Sequence, residues 1–150
     1  MAKLEFDHVG VVVDDLEATA QFFVALGFQR EEPFEVGGAW VDRIIGLEGA
    51  RVEGMFVAPP DGSGKLELVK FHEPTRARDQ EALPADAYGY RHIAYRVTDI
   101  AAVVAQAREA GYETVGDVVD YQDVYRLAYI RGPEGLIVEV AQPLSSGSSD

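Results

Sequence analysis

The sequence contains no cysteine, and this absence removes several kinds of site at once. Disulfide scaffolds, thiolate metal centres and cysteine nucleophiles are all excluded, so any metal ion must be held by nitrogen and oxygen. Basic residues are also scarce, because 13 Lys and Arg stand against 26 Asp and Glu, which gives a net charge of −13. A chain this acidic repels polyanions, so we expect no nucleic-acid partner.

Long apolar runs are missing as well. No stretch approaches the roughly 18 consecutive apolar residues of a membrane-spanning helix, and the first residues lack the pattern of a secretory signal. We therefore expect a cytoplasmic protein that does not associate with a membrane. What is present, 150 residues of which 47% are hydrophobic, suffices for one globular domain with a substantial core.

An internal repeat dominates the rest of the chain. Residues 6–29 align with residues 90–113 without a gap, at a constant offset of 84. The matching positions are those expected of strands, helix caps and helix ends, among them His8/His92, Asp15/Asp99 and Gly27/Gly111. Self-similarity of this kind marks one structural unit that occurs twice.

Each copy is predicted to fold in the order β-α-β-β-β. Residues 9–13 and 93–97 are rich in strand-forming side chains, and Asp15 and Asp99 can cap the helices that follow. Gly27 and Gly111 suit the left-handed exit of a helix. Turn-rich connectors then separate the predicted later strands of the two copies, 52–58 and 65–71 in the first and 123–131 and 136–141 in the second.

The boundaries follow from the repeat. We predict one α+β domain in which the first module spans about 4–72, a charged linker covers 73–88, and the second module spans about 89–142. Residues 143–150 should form a flexible tail. The stretch from Glu31 to Gly54 is predicted to be long and irregular, with room to close over a cup. Trp40, which lies within this stretch, would either cover that cup, occupy the core or contact a second subunit.

Two of the three histidines hold the same position in the two copies. Side chains alternate across a strand, so His8 and His92 should face away from the valines and isoleucine that meet the helices. The last strand of each copy carries one acid in an otherwise apolar run, Glu67 in KLELVKF and Glu139 in GLIVEVAQP. Burying a lone carboxylate is costly, so each of these acids needs a cation, a proton or solvent.

These four residues are our candidate metal ligands. A pseudo-twofold relation between the copies would bring His8, Glu67, His92 and Glu139 together around one divalent ion. Two imidazoles and two carboxylates suit Zn, Ni, Co, Mn or Fe, with room left for substrate. A single strand histidine is ordinarily structural, and the alternative is a relative that binds a ligand without metal. His72, at the edge of the linker, is interpreted as a solvated surface residue.

Other candidates have two interpretations each. Tyr125, Leu127 and Tyr129 share one strand face, which either lines the pocket, where a tyrosine could donate to an oxyanion, or packs on the helix. Arg126 and Arg131 would either bind an anionic substrate or lie at the surface.

The phrases DHVGVVVDDLEATAQFF, YRHIAYRVTDI and GPEGLIVEV resemble the vicinal oxygen chelate superfamily over roughly residues 4–142. This superfamily includes glyoxalase I, methylmalonyl-CoA epimerase, extradiol dioxygenases and bleomycin-resistance proteins. The resemblance implies two tandem βαβββ modules that form a cupped, barrel-like mixed sheet. The last phrase departs from the more usual Asp-Pro, because Gly132 precedes Pro133.

The ligand order at positions 8, 67, 92 and 139 is similar to that of bacterial glyoxalase I. It implies a divalent-metal-dependent lyase or isomerase that moves a proton next to a carbonyl of a small metal-chelating substrate. Glu139 and Glu67 are then the catalytic candidates, and we favour Glu139 as the base because its strand is the more apolar, whereas Lys65 and Lys70 flank Glu67. The alternatives are an Fe(II) extradiol-type dioxygenase and a non-catalytic drug-binding or metabolite-binding protein.

The resemblance also implies partners. We expect a small-molecule substrate and a homodimer, for which Phe6, Trp40, Phe56 and exposed strand edges offer apolar surface.

Overall fold

Each copy of the repeat folds as a unit of its own. In the computed structural model, which describes residues 2–75 and 83–144, the chain divides into the units Met1–Asp79 and Gln80–Asp150. Both units contain one five-stranded sheet and one ten-residue helix that follows the first strand.

The first unit begins with β1 (Val9–Val12), α1 (Leu16–Ala25), β2 (Gln29–Arg30) and β3 (Phe34–Gly37). It continues with α2 (Ala39–Ile45), β4 (Arg51–Ala58) and β5 (Leu66–Glu73). The strand order is β1-β5-β4-β2, and β3 also pairs with β4. Only β1 and β5 run parallel to each other.

The second unit repeats this topology with β6 (Ile93–Arg96), α3 (Ile100–Glu109), β7 (Glu113–Thr114) and β8 (Val119–Tyr121). It ends with β9 (Tyr125–Arg131), a 3-10 turn (Pro133–Gly135) and β10 (Ile137–Pro143). Its order is β6-β10-β9-β7, with β8 also paired to β9 and with β6 and β10 parallel. The predicted α+β class with two modules is confirmed. Neither sheet closes on itself within the described residues.

The helix of each unit covers one face of its sheet. In the first unit, α1 buries Phe22 and Phe23 completely, and the sheet contributes Leu66 and Leu68 from alternate positions of β5. In the second unit, Ile100 and Val104 of α3 are buried in the same way. Because side chains alternate along a strand, Glu67 and Glu139 must project from the face that the helix leaves free.

One helix was not predicted from the sequence. The seven residues of α2 lie in the segment that was predicted to be irregular, between Gly38 and a left-handed Gly46 with φ of 74°. The Asp42 carboxylate accepts hydrogen bonds from the backbone N–H groups of Gly49 and Ala50, at 2.9 and 2.8 Å, and so ties the following loop to the helix. Trp40 lies on α2 and is 60% exposed, so its interpretation as a core residue is wrong.

The lengths of several strands also differ from prediction. The second strand of each copy is split into two short strands, β2 and β3 in the first unit and β7 and β8 in the second. The strands β5 and β10 run to Glu73 and Pro143, into the predicted linker and tail. Residues 76–82 and 145–150, which make up the rest of the tail and the centre of the linker, lie outside the described residues. In the described ranges, no helix is long and apolar enough to cross a membrane.

The helix caps predicted from the repeat are confirmed, and they give a stability test. The Asp99 carboxylate accepts a hydrogen bond from the backbone N–H of Ala102 at 3.1 Å, as Asp15 does from Ala18 at 2.9 Å. Asp99→Ala leaves that N–H without its partner and should lower the free energy of unfolding by about 0.5–2 kcal/mol, measured by urea denaturation.

Glu109→Ala is the matched control for Asp99→Ala. It removes the same charge from the C-terminal end of the same helix, where a negative charge opposes the helix dipole, so it should be neutral or slightly stabilising. Equal losses in the two variants would show that overall charge, and not the cap, determines the effect.

Candidate functional site

The first unit contains a candidate pair of functional residues, a histidine and a glutamate from neighbouring strands. His8 lies one residue before β1, and Glu67 lies opposite Gly10 in the parallel pairing of β1 with β5. Both side chains therefore project from the same face of the sheet. Nε2 of His8 lies 3.5 Å from Oε1 of Glu67, and the two side chains are 34% and 27% exposed.

Asp7 orients the His8 ring, and it was not among the candidate residues identified from the sequence. Its Oδ2 lies 2.6 Å from Nδ1 of His8. This hydrogen bond to His8 is the largest of the effects that hold the pKa of Asp7 below its usual value. A carboxylate hydrogen-bonded to one ring nitrogen is common for metal-binding histidines, because it fixes the orientation of the ring and leaves the other nitrogen, here Nε2 beside Glu67, available to an ion.

Aromatic rings form the surroundings of this first pair. Phe56 lies opposite Glu67 in the sheet and meets the His8 ring edge-on, with 5.6 Å between ring centroids. Phe34 packs against Phe56 and covers Gly54, where an added Cβ would come within 2.3 Å of the Phe34 ring. The prediction that Phe56 offers free dimer surface is therefore not supported by its contacts.

The second unit contains an equivalent pair. His92 lies one residue before β6, and Nε2 of this histidine lies 3.2 Å from Oε1 of Glu139 on β10. The Glu139 side chain is only 18% exposed. Tyr129 lies opposite Glu139 as Phe56 lies opposite Glu67, and its hydroxyl is 3.4 Å from Nδ1 of His92. Tyr129 thus lies on the sheet face that carries Glu139, as its interpretation as a pocket residue requires.

The separation within each pair fits a shared metal ion. Nitrogen and oxygen ligands about 2.1 Å from one ion lie ~3.0 Å apart at a right angle and ~3.4 Å apart at a tetrahedral angle. The observed separations of 3.2 and 3.5 Å match these values without rearrangement. In the described ranges, no group of three or more His, Asp or Glu side chains could hold an ion. The convergence of all four residues on one ion therefore stays a prediction.

The third histidine, interpreted as a solvated surface residue, is partly exposed and also has a glutamate partner. Nε2 of His72 lies 3.0 Å from Oε1 of Glu53, and the two side chains are 28% and 35% exposed.

Lys70 does not lie beside Glu67, although the preference for Glu139 as the base assumed that it does. It lies opposite Glu53 in the sheet, whereas Glu67 lies opposite Phe56, so Lys70 and Glu67 project from different faces. Its ammonium donates to the backbone carbonyl of Asp14 at 2.7 Å. Lys65 shares the face of Glu67, with its ammonium 4.8 Å from the Phe56 ring centre.

The helix side of the second sheet holds two other features. Arg126 is bound to the Asp120 carboxylate at 2.6 Å, and this hydrogen bond holds the pKa of Asp120 below its usual range. Its interpretation as a surface residue thus fits the structure. An open groove of about 750 Å³ runs beside α3, and Ile100, Val104 and Arg126 are among the residues that line it. It lies on the opposite face of the sheet from Glu139 and does not belong to the candidate site.

Tyr95 also faces the helix side, between His92 and Arg96 along the chain. Burial raises the pKa of its hydroxyl to about 12, so it stays protonated at neutral pH.

Comparison with known proteins gives a consistent family. Residues 7–129 match the model of the Glyoxalase/Bleomycin resistance protein/Dioxygenase superfamily. The crystal structure of a glyoxalase family protein from Bacillus cereus is 36% identical, with a TM-score of 0.88, and the match covers 96% of this chain and 97% of that chain. No curated protein sequence matches this chain.

Two more distant structures share the fold. TnmS3, an antibiotic binding protein from Streptomyces sp. CB03234, is 23% identical with a TM-score of 0.62, over 95% of this chain and 98% of that one. The trypanothione-dependent glyoxalase I of Leishmania major is also 23% identical, with a TM-score of 0.58, over 90% of this chain and 84% of that one.

Proposed function

Because this chain belongs to the glyoxalase/bleomycin resistance protein/dioxygenase superfamily, we propose that it is a divalent-metal-dependent lyase or isomerase of the glyoxalase I type. Its substrate is a small molecule with two adjacent oxygen atoms, and the reaction moves a proton next to a carbonyl. The metal ligands are His8, Glu67, His92 and Glu139.

One observation carries this proposal. Two His–Glu pairs occupy equivalent places in the two units, and each pair has the spacing of two ligands on one ion. Both pairs lie on the sheet face that the helices leave free, so substrate can reach them. The donors are nitrogen and carboxylate oxygen, which suits Zn, Ni, Co, Mn or Fe and excludes an ion that demands sulfur.

Glu139 is the residue we assign to proton transfer. When bound, the metal supplies a positive charge next to the substrate oxygens. A carboxylate oxygen of Glu139 takes the proton from the hydroxyl-bearing carbon beside the carbonyl and returns it to the carbonyl carbon, while the hydroxyl proton passes to the former carbonyl oxygen. Ile137, two residues before Glu139 on the same face of β10, is buried, and the Glu139 side chain is only 18% exposed, so little water competes for the carboxylate in this step.

The test combines metal analysis with proton exchange. Protein purified without chelator is analysed for bound metal, stripped and reloaded with each candidate ion in turn. Each form is then incubated in D₂O with thiol adducts of 2-oxoaldehydes and with hydroxyketones, and deuterium next to the carbonyl is followed by NMR. The proposal requires exchange that depends on the ion. Oxygen uptake with a catechol would instead support the dioxygenase, and tight ligand binding without metal would support a binding protein.

We propose in addition that the chain forms a homodimer, in line with its resemblance to small proteins that pair. Phe6 and Trp40 are 69% and 60% exposed, and Ile44 of α2 is 74% exposed, so unit one carries apolar surface of the kind that subunits bury. Sedimentation at micromolar concentration should show a species of twice the chain mass. A single species at 16.4 kDa would contradict the dimer.

A further inference from the structure

Arg96 is the one basic side chain between residues 83 and 144 that has no partner among the described residues. Among the described residues of this unit, Arg91, Arg108, Arg126 and Arg131 each donate a hydrogen bond. No carboxylate or carbonyl of the described residues accepts one from Arg96, which is exposed. This is notable in a chain with twice as many acids as bases, where a carboxylate partner is easily found.

The sheet register places Arg96 on the face of the candidate site. Ala94 lies opposite Glu139, and Arg96 lies opposite Ala141, so the side chains of Arg96 and Glu139 project from the same face. Two residues along a parallel strand correspond to about 7 Å. His92 lies two residues from Ala94 in the other direction. The backbone of Arg96 is therefore about 7 Å further along the strand than the position opposite Glu139, on the side away from His92.

The neighbours of Arg96 across the sheet are apolar. Ala141 lies opposite Arg96, Leu127 lies opposite Ala141, and Val119 lies opposite Leu127, so the row offers no acid to balance the charge. In the first unit, Val12 holds the position equivalent to Arg96 and is 65% exposed. The cation thus belongs to one copy alone and is not required by the fold.

We propose that Arg96 binds a carboxylate group of the substrate. A guanidinium presents a planar fork of donors that pairs with both carboxylate oxygens. The ligand class is a small organic acid whose carboxylate lies about 7 Å from the reacting end and whose apolar part lies against Ala141 and Leu127. The chemistry of the reacting end rests on the proposed function, whereas the contact between Arg96 and the carboxylate does not.

The experiment measures binding and needs no turnover. Calorimetry at pH 7 compares 4-phenylbutyrate with its neutral amide on the purified full-length chain and on two variants. Wild-type protein should bind the carboxylate more tightly than the amide. Arg96→Met should weaken carboxylate binding by about tenfold or more, because a charge-assisted hydrogen bond is lost, and should leave amide binding unchanged.

Arg126→Met is the matched control, since it removes the same charge from the helix side of the same sheet and should preserve the preference for the carboxylate. The inference is overturned if the wild type does not prefer the carboxylate, if Arg96→Met keeps that preference, or if Arg126→Met loses it equally. Should metal-dependent exchange fail while this pattern holds, the proposed reaction is wrong and the carboxylate site stands.

Discussion

Glu139→Gln should lower turnover by at least about 10²-fold while most of the bound metal is retained. Glutamine keeps the shape and one oxygen ligand of the side chain but cannot accept a proton from carbon. General-base steps typically contribute ~10²–10⁴-fold in rate, which sets the scale of the loss. Turnover is measured as deuterium incorporation next to the carbonyl, and metal content is measured on the same samples.

Glu67→Gln is the informative comparison because Glu67 is the equivalent residue of the other unit. The Glu67 side chain is 27% exposed against 18% for Glu139, and the ammonium of Lys65 lies on the same sheet face. The less exposed carboxylate is the better shielded from water, and we therefore assign proton transfer to Glu139. Glu67→Gln should therefore slow exchange less than Glu139→Gln. The opposite ranking would mean that the two roles are reversed.

The second large effect concerns metal affinity. His8→Ala and His92→Ala should each weaken binding of the divalent ion by at least about 10²-fold, since even the loss of a residue that only orients a ligand costs ~10–100-fold. Affinity is measured by calorimetry with the ion that the purified protein retains. Activity should fall together with metal content in both variants.

His72→Ala provides a close control, because His72 also lies within 3.0 Å of a glutamate, on a strand of the same unit as His8. It lies at the far end of β5 and has no repeat equivalent. If the four proposed ligands share one ion, His72→Ala should leave the affinity unchanged. If His72→Ala alone lost affinity while His8→Ala and His92→Ala kept it, the ion would be held by His72 and Glu53 instead.

Much of the fold could be predicted because the repeat supplied two independent views of each element. A strand or cap that is ambiguous in one copy, such as the helix start at Asp15, is supported by its equivalent at Asp99. The helix α2 has no such support, since the described part of the second copy contains no equivalent helix. Its seven residues are too few for helical periodicity, and it is held by Asp42 contacts that depend on the following loop.

The pairing of one histidine with one glutamate in each unit could also be predicted from the sequence. The residues around each pair could be predicted only in part. Alternation along β5 already puts Lys65 and Glu67 on one face. Lys70 lies three residues after Glu67 and therefore on the other face, so the expectation that it flanks Glu67 was avoidable. The contacts of Phe34 and Phe56 depend instead on the register of β4 with its neighbours β3 and β5. Nothing in the local pattern fixes that register before the sheet forms.

The two units agree in their histidines and glutamates and differ in what surrounds them: Phe56 against Tyr129, Val12 against Arg96, and Asp7 against Arg91. After duplication of an ancestral half, each copy could thus change its neighbouring side chains without disturbing the donors of the other. New ligand preferences can then arise through substitutions in one half while the other preserves its share of the inherited chemistry, a route to diversification that an unduplicated ancestor would have lacked.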